Sequence, residues 1–284
     1  MKLNFALVLG FFAVAPVSAF AQNDITAVPN RPTVSTTAQP VQLGVLETEW
    51  GGDAASSHQD LNGLFKFGAT TNLELRFANN PITADSGAHG FGDVSAGFKY
   101  RFTGDHDRQP SIALMYMFKA PTAGNLLGSG YPDHSLMLLV SKDLGKHHFD
   151  YNLIGNLLGT QNGWDHNFLN ALAWSHPIVG NWGVDGELSG VTRSSAGLPG
   201  SAQFILSETY NASSRLVFDI GMMGRLTGPI PHAMFMAGVT YSVGELYHLR
   251  RRQDGGVSAT GTSAPIPKDI EPPPTACRCL SASQ

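Results

Sequence analysis

Charged side chains recur at every second position in segments whose other positions are apolar: Lys66, Glu74, Arg76, Asp93, Lys99, Arg101, Asp150, Asp185, Glu187, Arg215, Asp219 and Arg225. That spacing puts such residues on one face of an extended strand and the apolar residues on the other. Both signs occur on neighbouring segments, Glu74 and Arg76 on one, Lys99 and Arg101 on the next. Two roles suit this set. Paired, the charges would plug the interior of a barrel; left free, some would line a path and touch a solute. The sequence leaves both open, with pairing the simpler.

The other reactive groups are scattered. His58, His89, His134, His166 and His232 fall in or beside glycine-rich linkers. Imidazole with carboxylate suits a divalent metal, but five separate loops would have to converge, so no metal and no cofactor is assigned. Asp133-His134-Ser135 is the nearest approach to a hydrolase triad. Adjacent residues of a strand point to opposite faces, so His134 and Ser135 cannot pair, and no catalytic residue is assigned. Cys277 and Cys279 stand together near the end of the chain and offer neither a disulfide framework nor a four-cysteine zinc site.

The elements that would hold the charges are short and alternating. In "FGDVSAGFKYRF", residues 91–102, Val94, Ala96, Phe98, Tyr100 and Phe102 alternate with Ser95, Gly97, Lys99 and Arg101. Comparable segments lie near 41–50, 60–69, 71–79, 110–119, 134–142, 147–158, 166–175, 181–191, 201–210, 214–224 and 233–244. About twelve strands of about ten residues suit a membrane-spanning barrel. Short links such as "DLGKH" and "NASS" alternate with longer ones such as "GGDAASSHQ", "APTAGNLLGSGYPD" and "GTQNGWDHN". Short turns at one rim and long loops at the other are the asymmetry of outer-membrane barrels. Aromatic residues gather toward both ends of the segments, as interface girdles do. In the first segment, Val41, Leu43 and Val45 share a face with Glu47 and Glu49, so its limits are not fixed.

Composition agrees. Charged residues are only 14% of the chain and net charge is −4, against ~25% charged in soluble domains. No basic face for nucleic acid is present. Residues 1–21 read as a secretory signal peptide ending at Ala19-Phe20-Ala21. Residues 22–40 read as a flexible leader, 41–247 as the barrel, and 248–284, rich in Gly, Ser, Pro and charge, as a disordered periplasmic tail.

"TTNLELRF", "FGDVSAGFKYRF", "MYMFKAPTAG" and "LVSKDLGKHHFDYNLIGN" together resemble a bacterial family of outer-membrane transporters named for the meta-cleavage pathway of phenol degradation. The matching positions are Glu74 to Arg76, Gly92 to Phe102, Pro121 to Gly124, Ser141 to Gly145 and Asn152, with Ala123 an insertion relative to the family. The resemblance spans roughly residues 60–245 and implies passive uptake of small hydrophobic or aromatic compounds.

The expectation is an all-β, transmembrane, up-and-down antiparallel barrel in the bacterial outer membrane, with both termini periplasmic. Its partners would be outer-membrane lipid and a small-molecule solute, not nucleic acid; oligomeric state is not legible. Two other classes compete, an outer-membrane lipid hydrolase and a soluble lipid-binding barrel whose apolar face points inward.

Overall fold

The computed structural model describes residues 25–56, 58–104, 109–124, 127–193 and 198–246. The signal peptide expected at 1–21 and the tail expected at 248–284, with Cys277 and Cys279, lie outside these residues. Alternating sequence gives strand after strand: β1 Val45–Ala54, β2 His58–Gly68, β3 Leu73–Asp85, β4 Ala88–Gly90, β5 Val94–Thr103, β6 Ser111–Ala120 and β7 Asp133–Leu144. They continue with β8 His147–Thr160, β9 Gly163–Pro177, β10 Trp182–Val191, β11 Ser201–Ser213, β12 Leu216–Thr227 and β13 Ala233–Glu245.

Every strand is antiparallel to its neighbours, and β13 pairs with β1 from Val45↔Glu245 to Ala54↔Phe235, which closes the wall. The three residues of β4 pair only with the far end of β3. The closed barrel therefore has twelve strands, as the periodicity predicts.

One rim carries the turns at 69–72, 145–146, 178–181 and 214–215, together with the start of β1 and the end of β13. We call it the turn end and the opposite rim the loop end. Gly145 turns with φ 65°, a conformation open to glycine. At the loop end two expected long loops are short. β1 runs on to Ala54, and β8 and β9 continue pairing to Thr160↔Gly163.

The apolar positions face outward. Leu172, Leu206 and Ile220 are 48%, 54% and 61% exposed on the outer wall, whereas Lys66, Glu74, Lys99 and Asn152 are fully buried inside. An apolar exterior around a polar interior is the arrangement for hydrocarbon outside and solvent or a plug inside. A soluble lipid-binding barrel requires the reverse and does not describe this molecule.

Two expectations at the amino-terminal side are corrected. β1 begins at Val45, because Gly44, with φ 77°, turns the chain into the wall only there. Residues 25–44, expected to be a flexible leader over 22–40, run inside the barrel. They enter beside the β11–β12 turn, where Ala27 N–H bonds Ser214 O at 2.7 Å, and they return to the turn end at Gly44. Ile25, Ala38 and Val41 are buried along this path. Polar composition suggested disorder; here the lumen side chains supply the partners that a core would otherwise provide.

Candidate functional site

The lumen is built from the inward positions of the strands together with the segment inside it. Its backbone is received by side chains of the wall. Val28 N–H bonds Glu47 Oε2 at 2.9 Å, Asn30 N–H bonds Glu49 Oε1 at 3.0 Å, and Val41 N–H bonds Glu74 Oε2 at 2.8 Å. Across the barrel, Ser35 N–H bonds Glu187 Oε2 at 2.7 Å and Ala38 N–H bonds Ser141 Oγ at 2.7 Å. Asn152 clamps Thr36 at two points, accepting from its N–H at 2.8 Å and donating to its carbonyl at 2.9 Å. Lys99 Nζ donates to the carbonyls of Gln39 at 2.8 Å and Thr37 at 3.2 Å. Bonds to ionised groups are the stronger kind, so the wall's carboxylates act as fixed acceptors for a stretch of backbone.

These charges also neutralise one another. Lys66 lies between Glu47, at 2.6 Å, and Glu49, at 2.5 Å, and Lys99 meets Glu74 at 3.3 Å. The segment's Arg31 reaches Asp53 at 3.1 Å and Asp219 at 3.7 Å. Its guanidinium occupies a slot left by Gly51 and Gly238, which face each other across the β1–β13 seam; a Cβ at either would collide with it. Glycine is required here for close approach, not for backbone conformation.

The segment divides the lumen. On the loop side lies a cavity of about 370 Å³ lined by Arg76, Asn80, Met115, Met117, Met137 and Ile154, among others. On the turn side lies one of about 350 Å³ lined by His148, Asp150, Ser175, Asp185, Thr209 and Asn211. Asn30, Arg31, Thr33 and Ser35 border both. Residues 30–35 are thus a partition between two chambers.

Eight of the twelve candidate charges lie in the lumen around the inner segment, and four do not. Lys66, Glu74, Arg76, Lys99, Glu187 and Asp219 are buried in the lumen, and Asp150 and Asp185 line the turn-side chamber. Arg101 sits at the turn rim, bonded to Gln39 and Asn72. Asp93 instead holds a loop, accepting from the N–H groups of Thr122 at 2.9 Å and Ala123 at 2.8 Å. Arg225 ties the β12–β13 loop through the carbonyls of Gly228 and Ile230. Arg215 lies in the β11–β12 turn.

Sequence reasoning missed Glu47 and Glu49, whose face was ambiguous, and Arg31, Asp53 and Asn152 as anchors. It also missed the methionines. Met115, Met117, Met137, Met223, Met234 and Met236 sit at lumen-facing positions, with Met115 directly opposite Met137 and Met223 opposite Met234 in register. Their even spacing from Ala113 in β6, and from Val217 and Asp219 in β12, was the available signal.

The local hydrolase match separates as expected. His134 packs outside, its ring tilted against Tyr116, Phe118 and Trp164, while Ser135 faces inward and bonds Asn156 at 2.5 Å. Among the described residues no three His, Cys, Asp or Glu side chains gather as a metal site.

A closed antiparallel barrel of twelve strands with a polar lumen and an apolar outer wall is the fold of outer-membrane porins and channels. An outer-membrane channel from Pseudomonas putida F1 is similar at a TM-score of 0.58, covering 75% of this chain and 98% of its own, with 11% identity. The KdgM porin is similar at 0.53, covering 70% and 99% with 8% identity, and the NanC porin at 0.52, covering 69% and 98% with 10% identity. No family model and no curated protein matches the sequence.

Proposed function

We propose that the chain is an outer-membrane channel that admits small solutes passively, with residues 25–44 setting the free cross-section of its lumen. The observation that carries this reading is the partition itself, a hydrogen-bonded segment separating two chambers inside a closed wall. At twelve strands the interior is wider than side chains of the wall alone fill, and the segment leaves two cavities in it. Support for the class comes from the likeness to outer-membrane channels and porins. Support for small hydrophobic or aromatic solutes comes from the motifs between Glu74 and Asn152 that resemble the phenol-degradation transporters. On this reading the protein lies in the outer membrane with the turn end in the periplasm.

The test is reconstitution of the full chain, and of a chain lacking residues 25–40, into planar bilayers and liposomes. Small discrete conductance steps are expected for the full chain and larger ones for the shortened chain. Absence of both conductance and solute flux in both chains refutes the channel.

A further inference from the structure

The loop-side chamber contains a guanidinium that is ion-paired to Glu74 but whose hydrogen bonds to the described residues come from Nη1 alone. The Arg76 side chain is only 5% exposed; Nη1 meets the thioether of Met115 at 2.8 Å and the Thr36 hydroxyl at 3.4 Å, Nε lies 3.6 Å from Glu74 Oε1, and Glu49, the carboxylate lining the same chamber, is taken up by Lys66 at 2.5 Å. Sulfur is a weak acceptor, and the other two contacts are long or lack hydrogen-bond distance. A guanidinium carries five N–H donors in a planar fork that fits a carboxylate, and buried donors are normally bonded. Beside it, Met115, Met117, Met137 and Ile154 offer a polarisable apolar wall, and thioethers contact aromatic ring edges favourably. The chamber's volume, about 370 Å³, falls within the range of small-molecule pockets.

From this juxtaposition we infer that the loop-side chamber is a binding subsite for a small organic anion with an apolar ring, its carboxylate on Arg76 and its ring against the methionines. The inference rests on the channel reading, which it deepens by naming a solute class.

The experiment is calorimetric titration of the folded, detergent-purified full chain with benzoate, with benzyl alcohol (ring without charge) and with acetate (charge without ring). Saturable benzoate binding is expected, with both other probes at least about tenfold weaker. Arg76→Gln, shown to be folded by heat-shifted gel mobility, should weaken benzoate at least about tenfold and leave benzyl alcohol unchanged. Met117→Thr should weaken benzoate and leave acetate unchanged.

The inference is overturned if benzoate does not saturate, if benzyl alcohol or acetate binds equally, or if folded Arg76→Gln binds benzoate as the parent chain does. Should that variant not fold, the three-probe comparison on the unaltered chain decides. Benzoate binding without conductance in bilayers would defeat the channel and keep the subsite; conductance without binding would do the reverse.

Discussion

Asn152→Leu should release the partition while leaving the barrel intact. Asn152 is fully buried, and its amide makes two bonds to Thr36, at 2.8 Å and 2.9 Å. Leucine keeps the four-atom side chain branched at Cγ and removes both bonds, so one backbone N–H and one carbonyl of the segment lose their partners. Each net bond contributes about 1 kcal/mol and each stranded buried group costs about 1–3 kcal/mol, with water relieving part of the second. The docked segment should therefore lose about 2–5 kcal/mol, a shift of roughly 30-fold to several thousand-fold toward the released state. None of this bears on the β8 ladder, because the side chain and not the backbone of Asn152 is changed. The assay is maleimide labelling of Thr33→Cys in a chain carrying Cys277→Ser and Cys279→Ser, with folding checked by heat-shifted gel mobility. Labelling should accelerate by at most that factor, since Thr33 is half-buried and borders both chambers in the docked state. Asn152→Asp retains the acceptor but sets a carboxylate against the Thr36 carbonyl, and it should accelerate labelling less. A labelling rate for Asn152→Leu equal to that of the parent would refute the clamp.

Further outcomes follow from other contacts. Gly51→Val should expel the Arg31 guanidinium from its slot and raise Thr33→Cys labelling; combined with Arg31→Ala it should add almost nothing, a non-additivity that the double-mutant cycle reads directly. Lys66→Met removes the counter-ion of both Glu47 and Glu49 and should destabilise the barrel by about 3–5 kcal/mol, seen as a lower temperature for the gel-mobility shift. On the outer wall, Leu172→Arg near mid-strand should cost about 2–4 kcal/mol of folding in lipid, and Leu144→Arg at the end of β7 only about 0–1 kcal/mol. Equal costs at the two positions would contradict a bilayer around the barrel.

The wall was legible because alternation reports it directly. In β5, Phe98 and Tyr100 point out while Lys99 is sealed inside, as the pattern of residues 91–102 requires. β1 was placed too early because Val41 and Leu43 continue its alternation, although only the turn at Gly44 brings the chain into the wall. Residues 25–40 were illegible for a different reason. Ser35, Thr36 and Ala38 are bonded by residues 152, 116 and 103 positions away, so no local pattern announces their order. Serine, threonine and proline without periodicity describe a solvated chain and a chain bonded inside a polar lumen equally well. The methionines are legible in the same way, since their parity is that of the buried charges.

The partition also constrains the order in which this molecule can assemble. The backbone ladder joining β13 to β1 is continuous around the segment, so residues 25–44 enter either before that last seam zips or through an open rim afterwards. Their contacts suggest a sequence of capture. Val28 and Asn30 find Glu47 and Glu49 only 19 positions away, a short loop with a small closure entropy, whereas Ser35 must wait for Glu187 to come round from the far wall. The segment can thus lie on the first hairpin early and serve as a mandrel over which the remaining strands are laid.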